Sequence, residues 1–275
     1  MHAVEYGPAD ASQGLLLLHG YLAAAHVWEA AAARLTERAD VRVVALDLPG
    51  CGYSDRPADR SYSLEWLATV VLEALRALEL PRPLIVGHSL GGAVALHAAA
   101  RASAEISGLV LISPLTFSSP LPAPLRPAAR HPGIFQLLYR SPPGRLAVRP
   151  LLRRNFAGAP PKAVERTLDL VLAHLDAPGG WHAATRMGVQ AAFRRDLSTQ
   201  IRRVRAPALL LWGGQDRVHP PALGERLASE LSSAQHVVLE ECGHNPHLEQ
   251  PEQLAQEITT WMATLRETED QESSA

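Results

Sequence analysis

The chain has 275 residues, with 26 Lys and Arg set against 28 Asp and Glu. That is near neutrality, in a length that suits one large α/β domain or a domain with an inserted lobe. The opening MHAVEYGPADASQG has no basic segment ahead of an apolar core, and no apolar run is long enough to cross a membrane, so a cytoplasmic protein without membrane contact is expected. Two cysteines, Cys51 and Cys242, give no disulfide framework and read as inert thiols. No Cys/His cluster has zinc spacing and no phosphate-cradling or dinucleotide glycine fingerprint occurs, so neither a metal nor a cofactor is expected.

In chain order, residues 15–18 (LLLL) are the first clear strand, ending in His19-Gly20-Tyr21. Residues 28–38 are alanine-rich and helical, and 41–46 form a second strand that leads into the turn-rich DLPGCGYSD. Ser63 caps a helix running to about residue 78, with Glu65 in its first turn. Residues 84–86 are an apolar strand that passes through GHSLGG into the helix AVALHAAA, and 108–112 are another buried strand. From Pro114 proline and arginine dominate, with short helical pieces such as 163–175. The strand pattern resumes at Ala208, its last member is 236–239, and an amphipathic helix runs from Pro251 to about 266 before a polar tail read as frayed. Strands alternating with helices predict a mostly parallel sheet flanked by helices, interrupted once. The domain reading is a core of 1–113 and 206–275 with an inserted helical, arginine-rich cap at 114–205.

The centre of the chain is Gly87-His88-Ser89-Leu90-Gly91 between a strand and a helix. In that context Gly-x-Ser-x-Gly means a nucleophile elbow. The serine sits at the tip of a tight, strained turn, glycines on either side leave room for the chain to double back, and the helix start aims N–H groups at developing negative charge. Two later stations follow sheet strands: Asp216 after LLLWGGQ, and His244 after VVLEECG. The order serine, acid, histidine suits this chemistry. A hydroxyl becomes a nucleophile when a neutral imidazole takes its proton, and a carboxylate fixes the imidazole's tautomer.

These segments carry a resemblance to the α/β-hydrolase superfamily, in its cofactor-free branch with a mobile helical cap. The matching motifs are His19-Gly20, DLPGCGYS, GHSLGG, GGQDRV and GHNPHLEQP, and they cover nearly the whole chain outside 114–205. The resemblance implies an α/β-hydrolase fold, with Ser89 as nucleophile, Asp216 as acid, His244 as base, and the backbone N–H groups of Tyr21 and Leu90 as oxyanion hole. The short N-terminus departs from the family by leaving its first edge strand in doubt. Candidates for the substrate pocket are His19, Tyr21, Trp28 and Ser113. His19 is expected to order the oxyanion loop by hydrogen bonding.

Several residues compete with these roles. His247 is a rival base, but Gly243 and the Glu249-x-Pro251 spacing favour His244. His88 is expected to point away and pack, His97 reads as core or surface, and Asp47 and Asp55 read as structural in the glycine loop. Trp28 and Trp212 read as core.

Serine at the elbow argues against epoxide opening and halide displacement, for which relatives use aspartate. The expected activity is hydrolysis of a carboxylic ester, thioester or lactone through an acyl-enzyme. The alternatives are carbon–carbon cleavage of diketones, perhydrolysis as an accessory activity, and a catalytically quiet ligand-binding protein on the same scaffold. Residues 114–205 hold 15 basic against 4 acidic residues, a net of +11, and the remaining 11 basic and 24 acidic residues leave −13. That asymmetry lacks interleaved aromatics, so nucleic acid is not expected. It suits either a solvated arginine-rich surface or a lobe that attracts a negatively charged substrate or an anionic carrier such as acyl carrier protein or coenzyme A, with Arg153 and Arg154 as cap anion-binding candidates.

Overall fold

The computed structural model describes residues 1–80, 82–118, 137, 141–153, 156, 158–192 and 195–273. Among them a seven-stranded sheet has the order β1-β3-β2-β4-β5-β8-β9. Its members are β1 (Ala3–Tyr6), β2 (Gln13–Leu18), β3 (Val41–Leu46), β4 (Leu84–His88), β5 (Gly108–Ile112), β8 (Ala208–Gly213) and β9 (Ala234–Leu239). Only β1 runs antiparallel, pairing Ala3 with Leu46 and Tyr6 with Val43. A separate two-stranded ribbon joins β6 (Phe117–Ser118) to β7 (Arg195–Asp196).

Strand composition explains the layering. Along β2, β4, β5 and β8 successive side chains alternate between two buried faces, so both parities are apolar, as in a parallel sheet covered on both sides. Leu16, Leu18, Ile85, Leu109, Leu111 and Leu210 join one core with α2 (Leu64–Ala77) and α3 (Leu90–Ala102). Leu15, Leu17, Val86, Val110, Ile112 and Leu209 join the other core with α1 (Glu29–Arg38) and the C-terminal helix. Cutting one of these leucines to alanine costs about 2–5 kcal/mol, because transfer energy is lost and a cavity is left. The Ser63 Oγ accepts from the Trp66 N–H at 3.2 Å, capping α2 as the sequence predicts; such a cap is worth about 1 kcal/mol.

Between β5 and β8 lie α4 (Pro142–Arg153), α5 (Pro161–Asp176), α6 (Gly180–Ala192) and α7 (Ser198–Ile201). Pro161 opens α5, where its missing N–H costs nothing. Arg149 of α4 reaches Glu165 at 2.6 Å and Asp169 at 2.8 Å on α5, and Arg153 also pairs with Glu165. After β8 come α8 (Ala222–Glu230), the short α9 (Pro246–Glu249) and α10 (Pro251–Ser273). The tail expected to fray continues α10 as far as Ser273; ETEDQES contains neither glycine nor proline, and glutamate and glutamine are good helix formers. The N-terminus supplies β1 at the sheet edge. β9 starts two residues before its predicted apolar run, at Ala234.

β2 is hydrogen-bonded to β3 on one side and to β4 on the other, so the chain reverses its direction of travel across the sheet there. Ligands of open α/β sheets bind beyond the carboxyl ends of the strands at such a reversal. Gly20 follows β2 and Ser89 follows β4.

Candidate active site

Ser89 stands between β4 and α3 at φ 50° and ψ −113°. A non-glycine residue held there stores about 1–3 kcal/mol of strain. The bracketing glycines are steric requirements. A Cβ on Gly87 would lie 2.6 Å from the Gly91 carbonyl oxygen, and one on Gly91 would collide with the Leu18 and His19 carbonyls. The Ser89 N–H bonds the Ile112 carbonyl at 3.0 Å, and the Ser89 carbonyl accepts from Leu115 at 2.9 Å, which stitches the elbow to β5.

Ser89 and His244 line one cavity of about 500 Å³. His244 Nδ1 lies 2.8 Å from Asp216 Oδ2. The other carboxylate oxygen, Oδ1, accepts from the backbone N–H groups of Val218 and His219, both at 2.8 Å. Burial works to raise the Asp216 carboxyl, but the His244 ring and these donors outweigh it and hold it below the usual carboxylate value. Glu249 grips the loop of His244 from both sides. Its Oε2 accepts from Gly243 N–H at 2.7 Å and its Oε1 from Asn245 N–H at 2.9 Å. This is the physical content of the Glu-x-Pro spacing: the carboxylate fixes the backbone on either side of the histidine.

Tyr21 and Leu90 line the same cavity. Leu90 is the first residue of α3, where the initial N–H groups have no partner inside the helix. A Cβ on Gly20 would sit 3.3 Å from the Ser89 Cβ, so the turn after β2 abuts the elbow. The Tyr21 hydroxyl donates to the Ala184 carbonyl on α6 at 2.9 Å, and burial pushes its phenol pKa up.

Three of the pocket candidates stand outside this cavity's wall. His19 is fully buried, with Nδ1 donating to the Gly20 carbonyl at 2.8 Å and Nε2 accepting from Leu48 N–H at 3.1 Å. It thus orders the turn after β2 instead of meeting ligand. Trp28 is buried against the His247 ring at 4.6 Å. Ser113 is buried at the end of β5 with φ 41°, and its carbonyl accepts from His219 Nδ1 at 2.8 Å. Arg153 is engaged with Glu165 as described above, and Arg154 lies outside the described residues.

The expectation that His88 points away is corrected. Its ring belongs to the cavity wall, 4.8 Å from the His244 ring and 4.5 Å from the His247 ring. In β4 it shares parity with Val86, and the loop of His244 folds over that face. His88 Nε2 donates to the His244 carbonyl at 2.8 Å, a further anchor on the same loop. Burial drives its pKa well below the ordinary histidine value, and burial takes His247 down to about 3. His97 is buried on α3 and Trp212 in the core. Asp47 accepts from Ala25 N–H at 2.6 Å and Tyr53 N–H at 2.9 Å, and pairs with His2 at 2.7 Å, a structural hub as expected. Asp55 is an exposed loop residue whose carbonyl accepts from Gly50 at 2.8 Å. Both thiols are buried, and burial pushes each up to about 12.

The sequence reading did not single out His219, which lines the cavity with its ring edge-on to His244 at 5.0 Å and 87°. Its only sequence signal is its place three residues after Asp216. Among the described residues no cluster of potential ligands suits a metal ion.

A mostly parallel sheet, a strained serine at a strand-to-helix elbow and a carboxylate-bound histidine on neighbouring loops describe a hydrolase of the α/β type. The comparisons agree: the family model for the alpha/beta hydrolase fold matches residues 14–251, and the chain belongs to that family. It is 31% identical over 252 residues to the pimeloyl-[acyl-carrier protein] methyl ester esterase of Neisseria meningitidis serogroup A, covering 90% of this chain and 75% of that protein. It is 30% identical over 263 residues to the 2-hydroxymuconate semialdehyde hydrolase of Pseudomonas putida, covering 90% and 86%. A solved hydrolase from Pseudomonas aeruginosa superposes with a TM-score of 0.77 at 26% identity, covering 94% of this chain and 93% of that one. No helix among the described residues is long and apolar enough to cross a membrane.

Proposed function

We propose that the protein hydrolyses a carboxylic ester through an acyl-enzyme, with Ser89 as nucleophile, His244 as base, Asp216 as its orienting acid, and the Tyr21 and Leu90 N–H groups as oxyanion hole. The observation that carries this reading is the 2.8 Å pairing of His244 with Asp216 in the loop that shares a cavity with Ser89. In the proposed reaction His244 Nε2 takes the Ser89 proton as Oγ attacks the carbonyl. The oxyanion forms against the two N–H groups, and His244 then protonates the leaving alcohol. Water repeats the sequence to release the acid. Each oxyanion donor contributes about 2.7–4 kcal/mol of barrier lowering.

Residues 114–205 are proposed to act as the cap over this site. The described cavity wall contains no Asp, Glu, Lys or Arg, and Leu115, Phe117, Phe156, Val218 and Leu223 supply apolar surface. The part of the substrate bound inside is therefore proposed to be uncharged. A carrier would dock outside, on the segment whose fifteen bases exceed its four acids; the Neisseria relative's acyl-carrier-protein substrate supports this. Reversing Arg153 and Arg154 to glutamate then lowers kcat/KM for a carrier-linked methyl ester and leaves a small neutral ester little changed. Equal losses on both would remove the carrier. The likeness to a semialdehyde hydrolase favours carbon–carbon cleavage as the second reading.

The deciding test is p-nitrophenyl butyrate hydrolysis by wild type and Ser89→Ala, with fluorophosphonate labelling. Turnover and labelling that both vanish in the variant are expected. Labelling without ester turnover, together with diketone cleavage, would transfer the assignment to the second reading.

A further inference from the structure

His219 is held by three features that together leave one atom of its ring uncommitted. Its backbone N–H is fixed on Asp216 Oδ1 at 2.8 Å. Its Nδ1 lies 2.8 Å from the Ser113 carbonyl oxygen, which can only accept, so the proton resides on Nδ1 and Nε2 carries a lone pair. That carbonyl is aimed by a residue at φ 41°, a backbone conformation a serine seldom adopts, at the carboxyl end of β5. Burial, and after it the charge of a protonated His244, push the His219 pKa down, so the ring is a neutral acceptor with a fixed tautomer. It belongs to the wall of the Ser89 cavity, where its neighbours in sequence, Val218 and Pro220, and nearby Leu223 are apolar. The neighbouring His88 uses Nε2 on the His244 carbonyl, and its own remaining nitrogen, Nδ1, is buried against Gly20.

We propose that His219 is a specificity-determining residue whose Nε2 accepts a hydrogen bond from the substrate, so that the preferred ester carries a donor group, hydroxyl or amide N–H, within the cavity. The proposal rests on the serine-hydrolase reading of the same site and narrows its substrate class. In a wall otherwise mostly apolar, an ester lacking the donor leaves this acceptor without a partner, and discrimination follows from that loss.

The test compares two pairs of esters. p-Nitrophenyl 3-hydroxybutyrate against p-nitrophenyl butyrate places a hydroxyl in the acyl chain, and 2-acetamidoethyl butyrate against pentyl butyrate places an amide in the leaving group. Wild type is expected to favour the donor-bearing member of one pair by about five- to tenfold in kcat/KM, the worth of one neutral hydrogen bond. His219→Phe is expected to bring that ratio to about one. A ratio that survives the substitution, or no preference in either pair, overturns the proposal. Binding gives a second readout that needs neither turnover nor the His219 variant. In Ser89→Ala protein, the donor-bearing ester shifts the ¹⁵N resonance of His219 Nε2 and its partner ester does not. Identical spectra with both ligands overturn the proposal. Loss of ester turnover in wild type with the differential shift intact would instead count against the hydrolytic reading alone.

Discussion

Replacing Asp216 by asparagine tests the proposed triad through proton placement. The carboxylate has two distinct jobs: Oδ1 accepts from the Val218 and His219 N–H groups, and Oδ2 faces His244 Nδ1. An asparagine side chain has one acceptor and one donor end. Two backbone N–H groups at 2.8 Å pin its carbonyl oxygen at the Oδ1 position, since an NH₂ there would face both of them. The NH₂ must then point at His244 Nδ1, which has to become the acceptor and leave its proton on Nε2. An imidazole protonated at Nε2 cannot take the serine proton. The packing is nearly unchanged, so the variant folds, yet kcat falls by about 10⁴, or roughly 5 kcal/mol of barrier. The assay is p-nitrophenyl butyrate hydrolysis at neutral pH, with a thermal melt to verify folding. A loss smaller than about a hundredfold in a folded variant would refute the tautomer argument.

Three other outcomes follow from named contacts. Glu249→Gln leaves one of the Gly243 and Asn245 N–H groups facing an amide NH₂, at a cost of about 1.5–3 kcal/mol. A fall in Tm of roughly 3–12 °C with a lower kcat and a similar KM is expected, and an unchanged melt would mean the carboxylate does not hold the loop. Cys51 and Cys242, pushed up to about 12, resist iodoacetamide at pH 8 in the native protein and react in urea; rapid native labelling would contradict their burial. Burial also drives His247 from 6.5 to about 3, and His88 shifts the same way. Between those two values for His247 the unfolded chain binds a proton that the folded one does not, so stability falls as pH drops, approaching about 1.4 kcal/mol per pH unit for that histidine, and His88 contributes with the same sign. The urea midpoint should be lower at pH 5 than at pH 7.5, and His247→Gln should flatten that dependence.

The central strands were legible because each is an apolar run stopped by glycine or a polar turn, and 41–46 and 108–112 match β3 and β5 residue for residue. β1 was not, since AVEY is a short edge strand with no buried apolar run. The segment after Pro114 was read only in outline, because proline hides helical periodicity: α4 carries Pro150 within it. That Ser89, Asp216 and His244 each follow a strand of the sheet was legible from motif order. Geometry decided the rest. Whether a histidine faces ligand depends on where its two nitrogens find partners. That is why His19 leaves the wall for the backbone, while His88 and His219 join it.

Tyr21 ties the turn after β2 to α6. Its main chain turns beside Ser89, while its hydroxyl hangs on the Ala184 carbonyl and its ring lies against Gly188, where a Cβ would come within 2.7 Å of the tyrosine oxygen. A displacement of α6 is therefore passed to the turn after β2, which in the proposed reaction faces the reacting carbonyl. Redesigning α6 to admit a bulkier substrate would alter turnover of every substrate, including those that never touch the helix. Under the proposed chemistry the Tyr21 phenol would couple substrate range to rate, and Tyr21→Phe is the step to take before any reshaping of α6.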